Sequence, residues 1–467
     1  MNIKGGYIRP LFILTGDILL VLFSYLAGYW IRFGYISGFS EKFPLWFIPL
    51  IIINYLAIFY FFDLHTLKEN YFTVSFFVKI SLAIAVSSVT VLFFNYIIFL
   101  FPIGRGILII ANLILLFSAF VWRGFCQKIF KFLVKPIRLI IVGAGKTGKE
   151  IARIIKSARN DFEVVGFVED SKGRRKKSVH GEKINILGTS EQLMALSEEH
   201  RIDLIVFAYK EHENPQLTKN ILNARLKGIE VINMPDMYQS LKKRIPINYV
   251  EEDWFLKEKG FEHSNNMIVI KVKRLIDIIV SLFILLISMP LWPIISLLIK
   301  INSRGPIFYI QKRVGKNESI FSLKKFRSMI DKAEEDEAIW ADENDERITL
   351  MGRMLRILHL DELPQLLNVI KGEMSLVGPR PERPEFVEEL KKKIPYYSLR
   401  HFMKPGITGW AQVNYPYASS LEDSQEKLEY DLYYISHMNL LLEARILLKT
   451  VQKILLGEKR IGIKRQL

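Results

Sequence analysis

Between Leu11 and Phe120 the chain is built almost wholly of Leu, Ile, Phe, Val, Tyr and Ala in long unbroken blocks. Runs of this length lack the polar face that a soluble helix keeps, and they read as membrane-spanning helices. Four blocks fall at 10–31, 44–62, 76–100 and 104–122. No small-residue cleavage site follows the first, and three more come after it, so a cleavable signal peptide does not fit. The short flanks set an orientation. With the N-terminus inside, Lys4, Arg9, Lys68, Lys79, Arg123, Lys128, Lys131, Lys135 and Arg138 lie on the cytoplasmic side, and Arg32, Lys42 and Arg105 lie outside. The chain beyond Arg138 is therefore expected in the cytoplasm. The net charge of +16 concentrates at membrane flanks, where anionic lipid accounts for it, and nucleic acid is not expected as a partner. Cys126 has no second cysteine to pair with and reads as a buried free thiol.

From Pro136 the texture changes to short β-branched runs, IRLIIVGAG, FEVVGFVED, IDLIVFAY and IEVINMPD, alternating with helical patterns. This is the sequence form of βαβ units on a parallel sheet. Gly143, Gly145 and Gly148 form a G-x-G-x-x-G between a strand and a helix, with Glu169 and Asp170 ending the next strand where a ribose-binding acid belongs. The same stretch fits a P-loop until Glu150 replaces the hydroxyl residue that magnesium requires. Two readings stay open: a nucleotide site, or glycines that only let a helix pack close to a strand. Tyr238 and Lys242 have the Y-x-x-x-K spacing of short-chain dehydrogenases, a spacing that also arises by chance on amphipathic helices.

Residues 271–304 contain an apolar run from Leu275 to Ile299. As one helix it would measure about 38 Å against a hydrocarbon core of about 30 Å. Its flanks are basic on both sides, however, and Pro290 and Pro293 interrupt it. The expectation is a broken hairpin that enters one leaflet and returns, with a fifth, kinked span as the alternative. Asp277 inside the run needs a partner, and Lys273 or Arg274 is near enough along the helix.

After the hairpin, Gly, Pro and Arg recur in non-periodic positions, the pattern of irregular backbone that carries a site. In LHLDELPQLLN, residues 358–368, Asp361 stands where a helix can begin, Pro364 falls in its first turn and Gly372 just past its end. Alone, Asp361 and Glu362 read as a helix start. Around them stand Lys325, Arg327, Arg353, Arg356 and Arg380, the last between Pro379 and Pro381. Cations in that number suit phosphate. A phosphoryl group attacked by one carboxylate, with Mg²⁺ held by the other, would use both acids.

Over residues 271–457 the chain resembles the bacterial sugar transferases, the monotopic polyprenyl-phosphate phosphoglycosyl transferases. The resemblance is carried in order by Lys273-Arg274-x-x-Asp277, Gly305-Pro306, Lys325-Phe326-Arg327-Ser328-Met329, Asp345-x-Arg347-Ile348-Thr349, Leu360-Asp361-Glu362-Leu363-Pro364-Gln365, Gly378-Pro379-Arg380-Pro381 and Lys404-Pro405-Gly406-Ile407-Thr408-Gly409-Trp410. The spans and the Rossmann-like middle resemble the long form of that family. The resemblance implies a UDP-sugar donor, undecaprenyl phosphate as acceptor, Mg²⁺ and a re-entrant membrane helix. It maps catalysis onto Asp361 and Glu362 and the nucleotide site onto Arg356 and Pro379-Arg380-Pro381; with it, the residues read as Glu362 holding Mg²⁺ and Lys325 and Arg327 joining the substrate-binding cations. The hairpin break of many members is Ser-Pro; here Met289 separates Ser288 from Pro290. Glu443 stands where Asp is expected.

The expected architecture is a four-helix transmembrane bundle over 1–135, a Rossmann-like parallel α/β domain over 136–250, a linker at 251–270, a re-entrant hairpin at 271–304 and a mainly helical catalytic domain over 305–467. The expected product is undecaprenyl-diphospho-sugar, from glucose or galactose, made at the bacterial cytoplasmic membrane for exopolysaccharide, capsule or O-antigen synthesis, by a homodimer. Two rivals predict differently. A membrane-bound NAD-dependent nucleotide-sugar dehydratase or epimerase would need Tyr238 and Lys242, and a non-catalytic assembly scaffold would release no UMP.

Overall fold

The structure is a computed structural model. It describes the chain except residues 1–7, 37–38, 40–45, 63, 65–72, 95–103, 134–135, 158–160, 170–184, 209–214, 259, 262–266, 331–346, 416–419 and 456–467. Lys4, Lys42, Lys68, Lys135, Asp170 and Asp345 therefore lie outside the described residues. The chain divides into two units, Met1–Lys135 and Pro136–Leu467.

The first unit holds α1 (Ile8–Phe33), α2 (Phe47–Phe61), α3 (Val74–Phe93) and α4 (Arg105–Leu133). Among the described residues three stretches are long and apolar enough to cross a membrane, Leu11–Phe33, Phe76–Phe93 and Arg105–Phe130. The second expected span is the shorter α2, whose 15 residues rise only about 22 Å. Small residues let α1 and α4 approach closely, since a β-carbon on Gly28 would lie 3.0 Å from the Ala111 nitrogen. Between them Arg123 meets Asp17 with two bonds of 2.5 and 2.8 Å and donates to the Leu64 carbonyl at 3.2 Å. This corrects the flank reading of Arg123. Its side chain is fully buried, so it is an internal counter-ion to Asp17, which leaves eight flank cations against three. Cys126 is buried, as expected.

The second unit begins with a five-stranded sheet of β1 (Ile137–Val142), β2 (Phe162–Glu169), β3 (Ile186–Thr189), β4 (Leu204–Phe207) and β5 (Glu230–Asn233), in the order β3-β2-β1-β4-β5 with every pairing parallel. Both faces are covered, which is why these strands read as continuous apolar runs. Leu139 and Ile141 pack on one side with α5 (Lys146–Ser157) and α8 (Met234–Lys242). Ile140 and Val142 pack on the other with α6 (Leu193–Glu199) and α7 (Pro215–Leu226). Strand order reverses between β1 and β4, so the crevice of such a sheet opens at the end of β1, where the glycines are.

Beyond α8, Ile245, Ile247 and Val250 join the core of the C-terminal region, and the Trp410 indole donates to the Lys243 carbonyl at 2.9 Å. After α9 (Glu252–Lys257) comes a broken pair of apolar helices, α10 (Met267–Ser288) and α11 (Leu291–Asn302), bent by 63°. The arms part at Met289 and Pro290, because proline offers no N–H to continue the ladder. The outer face of both arms exposes Leu275, Ile279, Phe283, Leu286 and Leu297. The inner face carries charged groups that are all engaged. Lys273 donates to Glu443 at 2.5 Å and to the Val377 carbonyl at 3.0 Å, while Arg274 donates to the Val369 and Ile370 carbonyls at 2.6 and 2.7 Å. Asp277 accepts from the Leu376 amide at 3.1 Å, so its partner is the backbone rather than the neighbouring Lys273 or Arg274 expected from spacing. Tyr434 also donates to Glu443, which explains how Glu is accommodated at that position.

The remainder is mainly helical. An antiparallel pair, β6 (Phe308–Val314) with β7 (Ile320–Phe326), and a short parallel pair, β8 (Ser375–Val377) with β9 (Gly406–Thr408), stand beside α12 (Leu350–Ile357), whose Leu355 packs with Ile295, Ile299 and Phe326, and α13 (Gln365–Lys371), α14 (Pro384–Lys393), α15 (Trp410–Asn414), α16 (Leu421–His437) and α17 (Leu440–Leu455) surround one core that includes Val369, Leu376, Leu428 and Leu432.

Candidate active site

The carboxylate pair does not begin a helix. Asp361 and Glu362 lie in a single 3₁₀ turn, Leu360–Glu362, and α13 starts only at Gln365 after Pro364. Two local features build the turn. His359 precedes it at φ +57°, a left-handed conformation that costs a non-glycine residue about 1–2 kcal/mol. Leu360 and Leu363, three apart and therefore on one side of a 3₁₀ turn, pack with Ile295, Ile299 and Phe326. The turn is thus seated on α11. Gly372 ends α13 at φ +90°, as its place in the sequence predicts.

Both acids are buried, Asp361 at 3% and Glu362 at 6% exposure. A buried carboxylate needs compensating charge. Glu362 Oε1 accepts from Lys325 Nζ and from Arg380 Nη2, each at 3.1 Å. Lys325 comes from the end of β7, and Arg380 from a loop whose two prolines are buried. That loop is tied on three sides: Gly406 N–H donates to the Pro379 carbonyl at 2.9 Å, Arg400 to the Arg380 carbonyl at 3.0 Å, and Arg313 to the Pro381 carbonyl at 3.2 Å. Arg400 in turn pairs with Asp431 at 2.7 Å and bonds the Tyr397 hydroxyl at 2.6 Å. Burial pushes the Asp431 carboxyl up, against the pull of Arg400, to about 6. Beside it His401 is held down to about 4 by burial and by Arg400, so the imidazole is neutral at pH 7. His401, Val314, Gly315, Met403 and Pro405 line a shallow cleft next to Pro379, Arg380 and Pro381.

The other expected donor-site residues have different surroundings. Arg356 donates from Nε to the Ser328 hydroxyl at 2.9 Å. Arg327 is buried, and its guanidinium bonds the Ser303 and Arg304 carbonyls at 2.7 and 2.9 Å and the Ser303 hydroxyl at 2.9 Å. Those bonds fix the end of α11 and hold the Arg327 guanidinium there. Ser288 is buried, with its hydroxyl 3.3 Å from the Leu285 carbonyl. Sequence reasoning missed Arg313, Arg400 and Asp431. The one available signal was an acid at 431 inside the otherwise apolar face of LEYDLYYIS, and it carries no hint of its partner.

In the sheet domain, Gly143 has φ +115°, and a β-carbon on Gly148 would fall 1.8 Å from the Gly143 carbonyl oxygen. Close packing therefore requires Gly148. Gly145 has open space where its β-carbon would be, leaving room for a ligand without naming one. Tyr238 is buried and its hydroxyl bonds Glu429 at 3.2 Å, so it ties α8 to α16 instead of facing a cofactor.

Among the described residues no group of three His, Cys, Asp or Glu side chains forms a protein-only metal cage. Mg²⁺ does not ask for one. It binds through one or two carboxylates and takes its remaining oxygens from phosphate and water, and the adjacent hard-oxygen donors of Asp361 and Glu362 fit that demand.

Comparison with known proteins gives two family matches, residues 268–457 to bacterial sugar transferase and residues 67–235 to CoA-binding domain. The chain is 39% identical over 232 residues, 50% of its length and 54% of the relative's, to UDP-N-acetylgalactosamine-undecaprenyl-phosphate N-acetylgalactosaminephosphotransferase of Aeromonas hydrophila. It is 35% identical over 298 residues, 62% of each chain, to UDP-glucose:undecaprenyl-phosphate glucose-1-phosphate transferase of Klebsiella pneumoniae. It is 38% identical over 187 residues, 40% of this chain and 89% of the relative, to the uncharacterized sugar transferase EpsL of Bacillus subtilis. The chain thus spans little more than half the length of the first two relatives, and most of the third.

Proposed function

Because this chain belongs to the bacterial sugar transferase family, we propose that it moves a sugar 1-phosphate from a UDP-hexose to undecaprenyl phosphate, releasing UMP. One observation carries the proposal: a buried carboxylate pair on a strained turn, with Lys325 and Arg380 converging on Glu362 and a broken apolar hairpin directly beneath. The relatives' names support the acceptor and a nucleotide-sugar donor. Glucose and galactose are the first donors to test, and N-acetylgalactosamine joins them through the Aeromonas relative.

In the proposed first step an Asp361 oxygen attacks the β-phosphorus, the bond from that phosphorus to the bridging oxygen breaks, and UMP leaves with the oxygen and its electron pair. The enzyme then carries a sugar-phosphoryl aspartate. In the second step an oxygen of the lipid phosphate attacks the same phosphorus, restoring the Asp361 carboxylate and giving the lipid diphosphate sugar. Arg380 and Lys325 release their hold on Glu362 in part and take up donor phosphate charge; Arg356 lies at the next helix end and adds to it. Arg400 and Arg313 keep Arg380 in place. Glu362, with Asp361 beside it, would hold Mg²⁺, which when bound supplies positive charge to the phosphoryl oxygens.

The setting is part of the proposal. Four helices of the first unit form a transmembrane bundle. The hairpin, broken at Ser288 to Pro290, enters and leaves one leaflet, so that the catalytic domain stays on the cytoplasmic face of the bacterial inner membrane. The domain limits are those read from the sequence, the Rossmann-like domain either binds a nucleotide at Gly143, Gly145 and Gly148 or mediates homodimer contacts, and the product begins an exopolysaccharide, capsule or O-antigen chain.

The test is a donor screen on full-length protein with sugar-labelled UDP-hexoses, reading UMP release and label retained on denatured protein. Wild type retains label without acceptor and Asp361→Asn does not. UMP release that survives in Asp361→Asn would remove Asp361 as nucleophile, and no UMP from any donor would favour the scaffold.

A further inference from the structure

The end of α13 away from the carboxylate pair carries a second concentration of positive charge. A β-carbon built on Gly372 would lie 3.4 Å from Arg274 Nη2 and 3.4 Å from Lys404 Nζ, so these two cations, from α10 and from the loop before β9, bracket the space above that glycine. Helix capping accounts for Arg274, which takes the Val369 and Ile370 carbonyls. It does not account for Lys404. The Gly372 N–H already bonds the Asn368 and Val369 carbonyls, and among the described residues the Lys404 ammonium makes no hydrogen bond or ion pair. Lys404 is half-buried and its pKa is lowered, first by burial and then by Arg274, with Lys316 and Lys273 adding to the effect and Asp277 opposing it. The nearby acids are taken, Asp277 by the Leu376 amide and Glu443 by Lys273 and Tyr434. A half-buried ammonium held among like charges is destabilising unless an anion joins it.

The place of the cluster selects the anion. Arg274 immediately precedes Leu275, Ile276 and Ile279, where the sustained exposed apolar face of α10 begins, and only Met267 and Ile268 are exposed apolar residues before it on that helix. The cations therefore stand where the apolar belt begins, the level of a lipid headgroup. We propose that Arg274, Lys404 and Lys316 form a binding site for the phosphate group of a membrane lipid, separated from the carboxylate pair by the length of α13, roughly 10 Å. The proposal rests on α10 entering the bilayer, and not on the transfer reaction.

The experiment uses full-length protein in two arms. In the first, protein in nanodiscs of phosphatidylcholine with a minor share of phosphatidylglycerol is extracted into detergent, and retained lipid per chain is read by native mass spectrometry. In the second, inorganic phosphate is titrated against detergent-solubilised protein and competes for the retained lipid. Wild type is expected to retain phosphatidylglycerol over phosphatidylcholine, Lys404→Gln to bind it about tenfold more weakly, as loss of one charge-assisted hydrogen bond implies, Lys404→Arg to keep it, and Lys316→Gln, on an exposed turn, to lose less. Equal retention by wild type and Lys404→Gln, with matching melting temperatures, overturns the site. Inorganic phosphate that binds wild type better than Lys404→Gln while phosphatidylglycerol is not retained overturns the lipid source and, with it, the headgroup-level placement of α10. UMP release from the same samples reports the transfer reaction separately.

Discussion

Replacing Asp431 with Asn removes one charge from a pair that water does not screen. Arg400 and Asp431 meet at 2.7 Å with side chains 6% and 2% exposed. Truncating one partner of a buried pair costs about 3–5 kcal/mol, because the other charge stays buried. Arg400 keeps the Tyr397 hydroxyl and the Arg380 carbonyl, so the lower end applies, about 3 kcal/mol. For a domain of this size each kcal/mol lowers the melting temperature by about 2–4 °C, a fall of roughly 6–12 °C. The assay is thermal unfolding of the full chain in detergent, with UMP release measured below the transition. A second variant, Arg400→Met with Asp431→Leu, separates stability from positioning. Apolar replacement of both charges should restore most of the lost stability, yet it leaves the Arg380 carbonyl without its donor, so transfer should stay impaired. A single-variant melt within about 2 °C of wild type, or a double variant that recovers transfer together with stability, would refute the claim that this pair holds Arg380 in register.

Arg380→Ala should lower UMP release about 10- to 100-fold, the loss of a charge-assisted contact, and a release rate at wild-type level would remove Arg380 from the site. His401, held down to about 4, stays neutral in the folded chain while the unfolded chain takes its proton near pH 6.5. Stability from this group is therefore complete above pH 6.5 and falls by about 3 kcal/mol as pH drops to 4; His401→Gln should flatten that slope in denaturation at several pH values, and an unchanged slope refutes it. Asp17→Asn strands Arg123 in the first unit and should lower the yield of folded protein, read as a loss of the monodisperse peak after detergent extraction, while Asp17→Asn with Arg123→Gln should recover part of it.

What could be read from the chain was local. The strands of the parallel sheet show as β-branched runs between helical patterns, the glycine at 372 marks the end of α13, and three of the four apolar blocks are helices long enough to span. What could not be read depends on partners far along the sequence. Arg123 looks like a flank charge until Asp17, 106 residues earlier, is seen against it. Arg327, two residues past Lys325, would share its face if β7 continued, but the strand ends at Phe326 and the Arg327 guanidinium bonds the end of α11 while Lys325 reaches Glu362. The helix start expected at Asp361 is displaced because His359 takes a left-handed conformation and Leu360 and Leu363 are drawn to α11. The tertiary packing of one turn outweighed the local preference for a capped helix.

The Asp17–Arg123 pair also sets a timetable for synthesis. An acid within an apolar helix opposes insertion, by up to about 2.5–3.5 kcal/mol at the helix centre; Asp17 stands in the first third of Leu11–Phe33, and its counter-ion lies 106 residues downstream. At about 5–20 residues per second the ribosome reaches Arg123 roughly 5–20 s after Asp17. Through that interval α1 must be held by the insertion machinery or pass into lipid with its acid protonated, and only when α4 arrives can the two helices settle as one neutral object. The last helix of the first unit thus completes the first.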